Sequence, residues 1–273
     1  MITFLFWNLN RKPLQQLLAA LAEEHDVDIL ILAECSIGIA DLLVALNSNQ
    51  ARKYSLTFSA SDRLLILARL PRSAILPLAD TGFLSIRRLV PPIGIEVLLV
   101  AAHFSSKLYQ ESDDQGLTAT RFARTIEEQE NHVGHRRTVV VGDLNMNPFE
   151  IGIVGAEALH AVMDKKTALK ISRIVSGESR LFFYNPMWGR LGDGSKGPPG
   201  TYYRQSNRQV NYFWNTYDQV LIRPELISRF RDDDFRVLTT AGVTSLVTSD
   251  GIPDVAVSSD HLPILFRLDL SEA

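Results

Sequence analysis

Four short apolar runs in this chain each end in a polar residue, and this arrangement limits the folds that the chain can adopt. Apolar runs of about four to eight residues are typical of buried strands. In open α/β sheets, ligands bind outside the carboxyl ends of the strands, so we expect the four polar residues to converge at one edge. The runs and the residues that end them are 4–7 with Asn8, 29–33 with Glu34, 97–102 with His103 and 139–142 with Asp143.

Segments with helical spacing separate these strands. A helix after Pro13 would place Leu14, Leu17, Leu18 and Leu21 on one face. The pattern predicts further helices at residues 39–46, 117–133, 149–163 and 165–175. It predicts strands at residues 2–7, 28–33, 54–58, 63–70, 95–102, 138–141, 219–222, 237–239 and 262–268. Strands mixed with helices imply sheets covered by helices, so the fold class is α/β or α+β.

More polar residues stand beside the later strands. Asn145 follows Asp143 by two positions, Asp218 precedes the predicted strand 219–222, and Asp260 and His261 precede the strand 262–268. If these two later strands run antiparallel to the first four, their starting residues reach the same edge. The sequence therefore predicts one polar site built from distant parts of the chain.

The composition is that of an ordinary globular protein. The 273 residues are 46% hydrophobic and 22% charged, which excludes disordered, collagen-like and coiled-coil chains. A net charge of −3 gives no overall positive field, so any binding of nucleic acid must be local. No apolar stretch approaches the roughly 20 residues of a membrane span, and the one cysteine, Cys35, cannot form an intramolecular disulfide. We therefore expect a cytoplasmic protein.

Each candidate residue also has a purely structural interpretation. Asn8 and Asn145 are common turn formers, and Asp143 can form a turn with its own backbone. Glu34 is in position to cap the following helix, and His103 can be a hydrogen-bonded residue of the core. Five polar residues at the ends of four apolar strands nevertheless favour a shared functional site over five separate structural roles.

Six motifs in this chain resemble those of the endonuclease/exonuclease/phosphatase superfamily and come in the family's order. The resemblance implies one domain over residues 1–273, with two stacked central sheets flanked by helices in a four-layer sandwich. It also implies a divalent-metal phosphoesterase. The motifs are WNLN (7–10), LAE (32–34), AHFSS (102–106), GDLNMNP (142–148), YDQVL (217–221) and SDHLPI (259–264).

The resemblance implies a metal site in which Glu34 is the principal ligand, with Asn8 nearby and Asp260 as a further candidate. Oxygen ligands such as these suit Mg²⁺ or Mn²⁺. Many relatives carry aspartate where this chain has Asn10. Asn10 removes a negative charge, which leaves open whether the site has one metal position or two, and Asn10 is also a candidate for substrate binding.

The resemblance also assigns roles in catalysis. Asp143 orients or deprotonates the attacking water, and Asn145 donates a hydrogen bond to a phosphate oxygen. His261 contacts the phosphate, while Asp218 holds its tautomer and keeps it cationic. His103 stands where deoxyribonuclease-type relatives place a histidine that can protonate the leaving oxygen.

A segment at residues 180–215, rich in glycine, proline and aromatic residues, is predicted to be a loop inserted into the domain. Its cations are Arg190, Lys196, Arg204 and Arg208, and they alternate with ten aromatic residues between positions 182 and 217. Such a loop could stack bases and follow phosphates, with Arg204 and Arg208 contacting the substrate. The alternative is that the rings pack the loop onto the body while the arginines are solvated.

These observations favour a hydrolase with Mg²⁺ or Mn²⁺ as cofactor and nucleic acid, DNA or RNA, as substrate. An activated water attacks the phosphodiester in line. One alternative is a phosphatase or phosphodiesterase acting on a small phosphoester, such as a phosphoinositide, a sphingolipid head group or a nucleotide. A second is a non-catalytic binding module on the same fold. The presence of Asp143, Asn145 and His261 argues against that module.

Overall fold

Two mixed β-sheets stacked face to face form the centre of the molecule. The computed structural model describes residues 1–48, 52–57, 61–106, 112–194 and 197–271. The helices are α1 (Gln15–Glu24), α2 (Ile39–Asn47), α3 (Ser112–Val133), α4 (Ile151–Val154) and α5 (Lys165–Ala168). The strands are β1 (Ile2–Asn8), β2 (Ile29–Ala33), β3 (Ser55–Leu56), β4 (Leu64–Ala68), β5 (Ile75–Thr81), β6 (Leu84–Leu89), β7 (Val97–His103), β8 (Thr138–Asp143), β9 (Ala161–Val162), β10 (Ser172–Val175), β11 (Glu178–Leu181), β12 (Phe183–Tyr184), β13 (Tyr202–Tyr203), β14 (Trp214–Asn215), β15 (Asp218–Ile222), β16 (Arg236–Val237), β17 (Thr240–Ala241), β18 (Thr244–Ser245) and β19 (Ile264–Leu268).

The strand order places the expected site residues at one end of both sheets. The first sheet has the order β16-β19-β1-β2-β4-β3, and the second has the order β5-β6-β7-β8-β15-β12-β9. β1 is parallel to β2, and β7 is parallel to β8. β19 and β15 run antiparallel to β1 and β8, so their first residues lie beside the last residues of those strands. This arrangement is the one that the sequence predicts for a shared edge.

Successive side chains of the central strands point to opposite faces of each sheet, and this alternation divides the core into layers. Phe4 and Phe6 of β1 point between the sheets, where Phe4 stacks on Phe266 with ring centroids 4.7 Å apart. Leu5 and Trp7 point the other way, toward apolar residues of α1 and α2. On the far side, β7 and β8 pack against α3 through residues that include Val140. The result is the expected four-layer sandwich, and it explains why these strands are apolar on both faces.

Gly142 allows β7 and β8 to pair closely beside the site. A Cβ atom built at this position would lie 1.9 Å from the carbonyl oxygen of Ala102, a distance that no side chain can tolerate. The next residue on β8 is Asp143, and the residue opposite it on β7 is His103. The glycine therefore preserves the pairing that sets these two residues side by side.

Two predicted helices are wrong over most of their length. Only Ile151–Val154 is helical within residues 149–163, because Gly155 ends the helix in an extended conformation and His160 has a left-handed backbone with φ of 48°. Residues 165–175 divide into α5 and β10, and β10 pairs with β11 through a tight turn at Ser176 and Gly177, both at positive φ. Helical spacing of apolar residues therefore arose here from turns and short strands packed on the core.

Several other predictions need correction. The segment 180–215 is not wholly an inserted loop, because Phe183 and Tyr184 are buried and form β12 in the second sheet. The sequence predictions omitted β5 and β6. The predicted strands 54–58 and 63–70 do pair antiparallel, as β3 and β4, but Phe58 lies outside the described residues. Within the described ranges, no helix is both long enough and apolar enough to span a membrane.

A buried ion pair joins α3 to the end of β15. Arg223 donates from Nε to Glu130 Oε1 at 2.8 Å and from Nη2 to Glu130 Oε2 at 3.2 Å, and both side chains are almost fully buried. Thr138 also donates to Glu130, and the guanidinium lies 3.9 Å from the centroid of the Phe183 ring. Removing one member would leave the other charge buried with its main partner gone.

We expect Glu130→Gln to lower the free energy of unfolding by about 3 kcal/mol, as for other buried pairs that lose one charge. Chemical denaturation measures the change. Glu128→Gln on the exposed side of the same helix is the matched control, with an expected change within about 0.5 kcal/mol. Equal effects in the two variants would contradict a stabilising role for the buried pair.

Candidate active site

Three titratable residues form a row across adjacent strands of the second sheet. In the pairing register, Asp143 on β8 lies opposite His103 on β7 and opposite Asp218 on β15. His103 Nε2 lies 3.8 Å from Asp143 Oδ2. All three side chains are largely buried. The row brings together residues from three separate parts of the sequence.

The first sheet contributes Asn8 and Glu34 to the same place. Asn8, the last residue of β1, donates from Nδ2 to Asp143 Oδ2 at 3.0 Å. Its Oδ1 accepts a hydrogen bond from the backbone N–H of Asn10, so the amide is held from both sides. Glu34 directly follows β2 and has a left-handed backbone with φ of 48°, which turns the chain at the end of the strand.

His261 and Asp218 form a buried pair at the centre of the site. His261 Nδ1 lies 2.8 Å from Asp218 Oδ2, and Asp218 is fully buried. Burial lowers the pKa of His261, but the charges of Asp218 and Asp143 outweigh this and raise the pKa to about 10. Burial raises the pKa of Asp218, and the charge of His261 opposes that rise. The short hydrogen bond favours the imidazolium–carboxylate form of the pair at neutral pH.

The environment of His261 fixes its ring. Its carbonyl oxygen accepts a hydrogen bond from Trp7 Nε1 at 2.8 Å, and the Tyr202 ring lies over the imidazole with centroids 4.7 Å apart. Nε2, the nitrogen that does not face Asp218, lies 3.9 Å from Asp143 Oδ2. The ring therefore presents one N–H toward Asp143 while the other holds it in place.

Glu34 and His103 make the second charged contact of the site. His103 Nε2 lies 3.4 Å from Glu34 Oε1. The hydrogen bond from His103 lowers the pKa of Glu34, burial opposes this shift, and Asn8 adds to it. Among the described residues, no partner lies within hydrogen-bond distance of the buried His103 Nδ1. Because its pKa is lowered, Glu34 is ionised near neutral pH, and its side chain is partly open to solvent.

Asn145 lies in a tight turn directly after β8. Its backbone N–H donates to Asp143 Oδ1 at 2.9 Å, and its φ is 50°. Nδ2 donates to the carbonyl oxygen of Phe104 at 2.9 Å, which uses one of its two N–H bonds and leaves the other. The turn interpretation and the functional interpretation of this residue are therefore compatible.

One cavity of about 700 Å³ is lined by Asn8, Glu34, His103, Asp143, Asn145 and His261, while Asp218 lies buried behind His261. Asp260, Asn10 and Arg204 line it as well, whereas Arg208 is exposed on the same β-hairpin and is not among the lining residues. Arg190 belongs to the packing of the molecule instead, because it donates to the carbonyl oxygen of Phe235 at 2.8 Å. Lys196 lies outside the described residues.

The donor set fits a hard divalent cation. Glu34, Asn8 and Asp260 offer carboxylate and amide oxygens to the cavity, and the lowered pKa of Glu34 keeps its ligand form at neutral pH. A second group, Asp143, Asp218 and His261, also brings one ligand atom each to within 4.8 Å of the others. In this group the Nδ1 position of His261 is taken up by the bond to Asp218, so proton handling suits the group better than metal binding.

Several residues of the cavity were not identified as site residues from the sequence. Arg11 and Arg63 line it, as does Tyr217, whose ring stacks on Tyr202 with centroids 5.4 Å apart. Thr201 supports the site from outside, because its Oγ1 accepts the backbone N–H of Asp218 at 3.2 Å. Tyr217 is the first residue of the YDQVL motif and Arg11 directly follows the WNLN motif, so sequence position gave a signal for these two but not for Arg63 or Thr201.

We expect Asp218→Asn to lower the pKa of His261, because it removes the charge that does most to raise it. Titration of labelled histidine by NMR should find His261 cationic at pH 8 in the wild type and neutral in the variant. The raised pKa of His261 in the folded protein contributes stability that is fully present below about pH 6.5, the unfolded pKa of histidine, and is lost as pH rises toward 10. Identical titrations of the two proteins would contradict this electrostatic account.

Comparison with known proteins agrees with the fold. Three solved structures are similar to this chain. The first is the 3′ phosphatase NExo from Neisseria bound to product DNA hairpin, and the second is an AP endonuclease from Archaeoglobus fulgidus. The third is an endonuclease/exonuclease/phosphatase family protein from Leptotrichia buccalis. Their sequence identities are 14%, 13% and 14%, and their TM-scores are 0.56, 0.56 and 0.59. Each alignment covers 98% of this chain and 100% of the other chain.

Such low identities show a shared fold and nothing finer. Among curated proteins, no sequence matches this chain. The model of the endonuclease/exonuclease/phosphatase family matches residues 5–261, which include all the cavity-lining residues described above. The chain therefore belongs to the endonuclease/exonuclease/phosphatase family.

Proposed function

We propose that this protein is a phosphodiesterase that requires Mg²⁺ or Mn²⁺ and cleaves nucleic acid. The observation that carries the proposal is that an ionised Glu34, a cationic His261 and Asp143 line one cavity. A phosphodiester is anionic and repels an attacking oxygen nucleophile, so its hydrolysis requires positive charge beside a proton acceptor.

Asp143 is the proposed acceptor of the proton from the attacking water. Oδ1 accepts one hydrogen bond from the backbone of Asn145, and Oδ2 accepts one from Asn8, which leaves lone pairs on both oxygens. These two donors also hold the carboxylate in one orientation. A fixed acceptor orients the water for in-line attack without a cost of reorganisation during the reaction.

His261 and Asn145 are the proposed ligands of the phosphate. The imidazolium of His261 places a fixed positive charge beside Asp143, and its counter-ion Asp218 lies on the opposite side of the ring. Asn145 adds a neutral N–H donor from the turn after β8. Charge that develops on the phosphate oxygens is stabilised best by donors that are already oriented in this way.

His103 is the proposed donor of a proton to the leaving oxygen. Its Nε2 lies between Glu34 and Asp143, at 3.4 Å and 3.8 Å from their nearest oxygens. One proton moves from water to Asp143, and another moves from His103 Nε2 to the oxygen that departs. The two proton transfers balance the cleavage of one P–O bond by one water molecule.

Glu34, Asn8 and Asp260 are the proposed metal-binding residues. When bound, a divalent cation supplies positive charge that offsets the charge on the phosphate oxygens. We also propose that the whole chain forms one domain. Glu34 of the first sheet and His261 near the other end of the chain line the same cavity, so neither half of the sequence contains a complete site.

Arg204 favours a polymeric substrate over a small one. It lines the cavity from the position directly after β13, and it is exposed together with Arg208 further along the hairpin. An arginine at the cavity and another outside it are suited to successive phosphates of a strand. The Neisseria and Archaeoglobus relatives, named for a DNA complex and for AP endonuclease activity, agree with a nucleic-acid substrate.

We expect Glu34→Gln to raise the Mg²⁺ concentration for half-maximal hydrolysis at least about tenfold, because the cation loses a charged ligand. Calorimetric titration with Mn²⁺ provides a readout independent of activity and should show the same weakening. Glu128→Gln, on the exposed side of α3, is the control. Full activity of the wild type in excess EDTA, or no hydrolysis of any phosphodiester at all, would contradict the proposed function.

We expect Arg204→Ala to raise the KM for oligonucleotides more than Arg208→Ala, because only Arg204 lines the cavity. Each lost phosphate contact should also reduce the slope of log affinity against log salt concentration by about 1. Hydrolysis of bis-p-nitrophenyl phosphate should change little in either variant. A wild type that cleaves only small phosphoesters, with no effect of either arginine, would favour the small-phosphoester alternative.

A further inference from the structure

We infer that an unpaired nucleic-acid strand leaves the cavity across an aromatic surface formed by Phe149, Trp188 and Tyr212, and that its bases stack there. This inference rests on the proposed function and specifies its substrate as single-stranded nucleic acid. None of the three rings lines the catalytic cavity. The surface is therefore additional to the site that performs the chemistry.

The three rings form one contiguous group although they come from three segments. The Phe149 ring lies with its centroid 5.3 Å from that of Tyr212 and 6.4 Å from that of Trp188. Phe149 is 40% exposed and Tyr212 is 57% exposed, whereas Trp188 is half-buried. The interplanar angles are 66° and 61°, so the rings meet edge to face and do not cover one another's faces by stacking. A flat base can stack on such a face whatever its sequence.

Hydrogen bonds couple this surface to the catalytic strand. Asn147, two residues before Phe149, donates from Nδ2 to Asn215 Oδ1 at 2.9 Å and accepts from the backbone N–H of Thr216 at 2.9 Å. Asn147 is in the turn that follows Asp143, and Asn215 ends the hairpin that carries Tyr212. The aromatic surface is therefore held at a fixed distance from Asp143.

The conformation of the hairpin also keeps aromatic side chains in solvent. Phe213, next to Tyr212, has φ of 58°, a conformation that is unusual for a bulky residue, and it is 46% exposed. Its carbonyl oxygen accepts the backbone N–H of Arg204 at 2.8 Å, and its own N–H donates to Asn211 Oδ1 at 3.1 Å. The fold maintains this conformation although it buries little apolar area in return.

The positive charge beside the rings, and its continuation into the cavity through Arg204, favour nucleic acid as the occupant of the aromatic surface. Arg204, which lines the cavity, and Arg208 are exposed on the same hairpin as Tyr212, and no described carboxylate lies within 4.0 Å of either guanidinium. Rings combined with unpaired arginines are typical of surfaces that bind single strands, where the phosphates contact the cations and the bases stack. In a duplex the base faces are already stacked, so only an unpaired strand can use the rings.

The test compares binding of two single strands with equal charge. One is an oligothymidylate, and the other has the same backbone with abasic sites in place of every base. Fluorescence anisotropy in EDTA measures affinity without cleavage. We expect Phe149→Ala and Tyr212→Ala each to weaken binding of the oligothymidylate roughly five- to a hundredfold, the range measured for base–aromatic stacking. Binding of the abasic strand should hardly change.

Two control variants separate stacking from other effects. Tyr212→Phe keeps the ring and should bind the oligothymidylate like the wild type. Val154→Ala removes an exposed apolar side chain on α4 that has no ring, and it should also bind normally. Equal losses on both strands in the alanine variants, or no loss on either, would overturn the inference.

Two further outcomes distinguish this inference from the proposed function. If the wild type cleaves oligonucleotides while the alanine variants bind them normally, the aromatic surface does not bind the strand and the proposed function stands. If the wild type binds vesicles of phosphatidylcholine and phosphatidylserine but no oligonucleotide, and Tyr212→Ala abolishes vesicle binding, the surface contacts lipid. That result would overturn both proposals.

Discussion

The hydrogen bond from Asn8 to Asp143 joins the two sheets at the end where the polar residues of the site lie. Deeper between the sheets, the contact is made by apolar side chains such as Phe4 and Phe266, which pack without directional bonds. At the strand ends the apolar contact stops and the buried carboxylate of Asp143 requires a donor, because an unpaired buried charge is costly. Asn8 of the other sheet supplies it at 3.0 Å. The site is thus an element of the packing between the sheets as well as a place for chemistry.

The balance of charge in the cavity follows from this packing. Several carboxylates lie in or beside it, among them those of Glu34, Asp143, Asp218 and Asp260, and their mutual repulsion would favour protonation if nothing opposed it. His261 removes part of this repulsion by remaining cationic between Asp218 and Asp143. A divalent cation bound at Glu34 would remove more. The same carboxylates that repel one another therefore give the site its affinity for positive charge.

The sequence revealed the strands that are buried on both faces, because a short apolar run that ends in a polar residue is typical of a strand whose end reaches a polar site. It did not reveal β6, in which Arg87 is fully buried and paired with Asp80 of β5 at 2.9 Å. A charged residue in a buried strand is stabilised only by a partner whose position depends on the fold. For the same reason the motif residues of the site were identified, whereas Arg63 and Thr201 were not, since only tertiary structure brings them to it.

Backbone strain at the strand ends connects the core to the site. Asn10, Arg11, Glu34 and Asn145 all have positive φ, and a conformation of this kind costs of the order of 1–3 kcal/mol when it is strained. Asparagine adopts it readily, but arginine and glutamate do so less often. The loops that follow β1 and β2 are hydrogen-bonded to each other. Leu9 N–H donates to the Ala33 carbonyl and Arg11 N–H donates to the Glu34 carbonyl, both at 2.9 Å. Parallel pairing of β1 and β2 fixes where these bonds form, and the apolar core fixes the pairing. Hydrophobic packing along the length of the strands therefore determines the position of Glu34 in the cavity. For this reason a largely polar site depends on the most apolar segments of the chain.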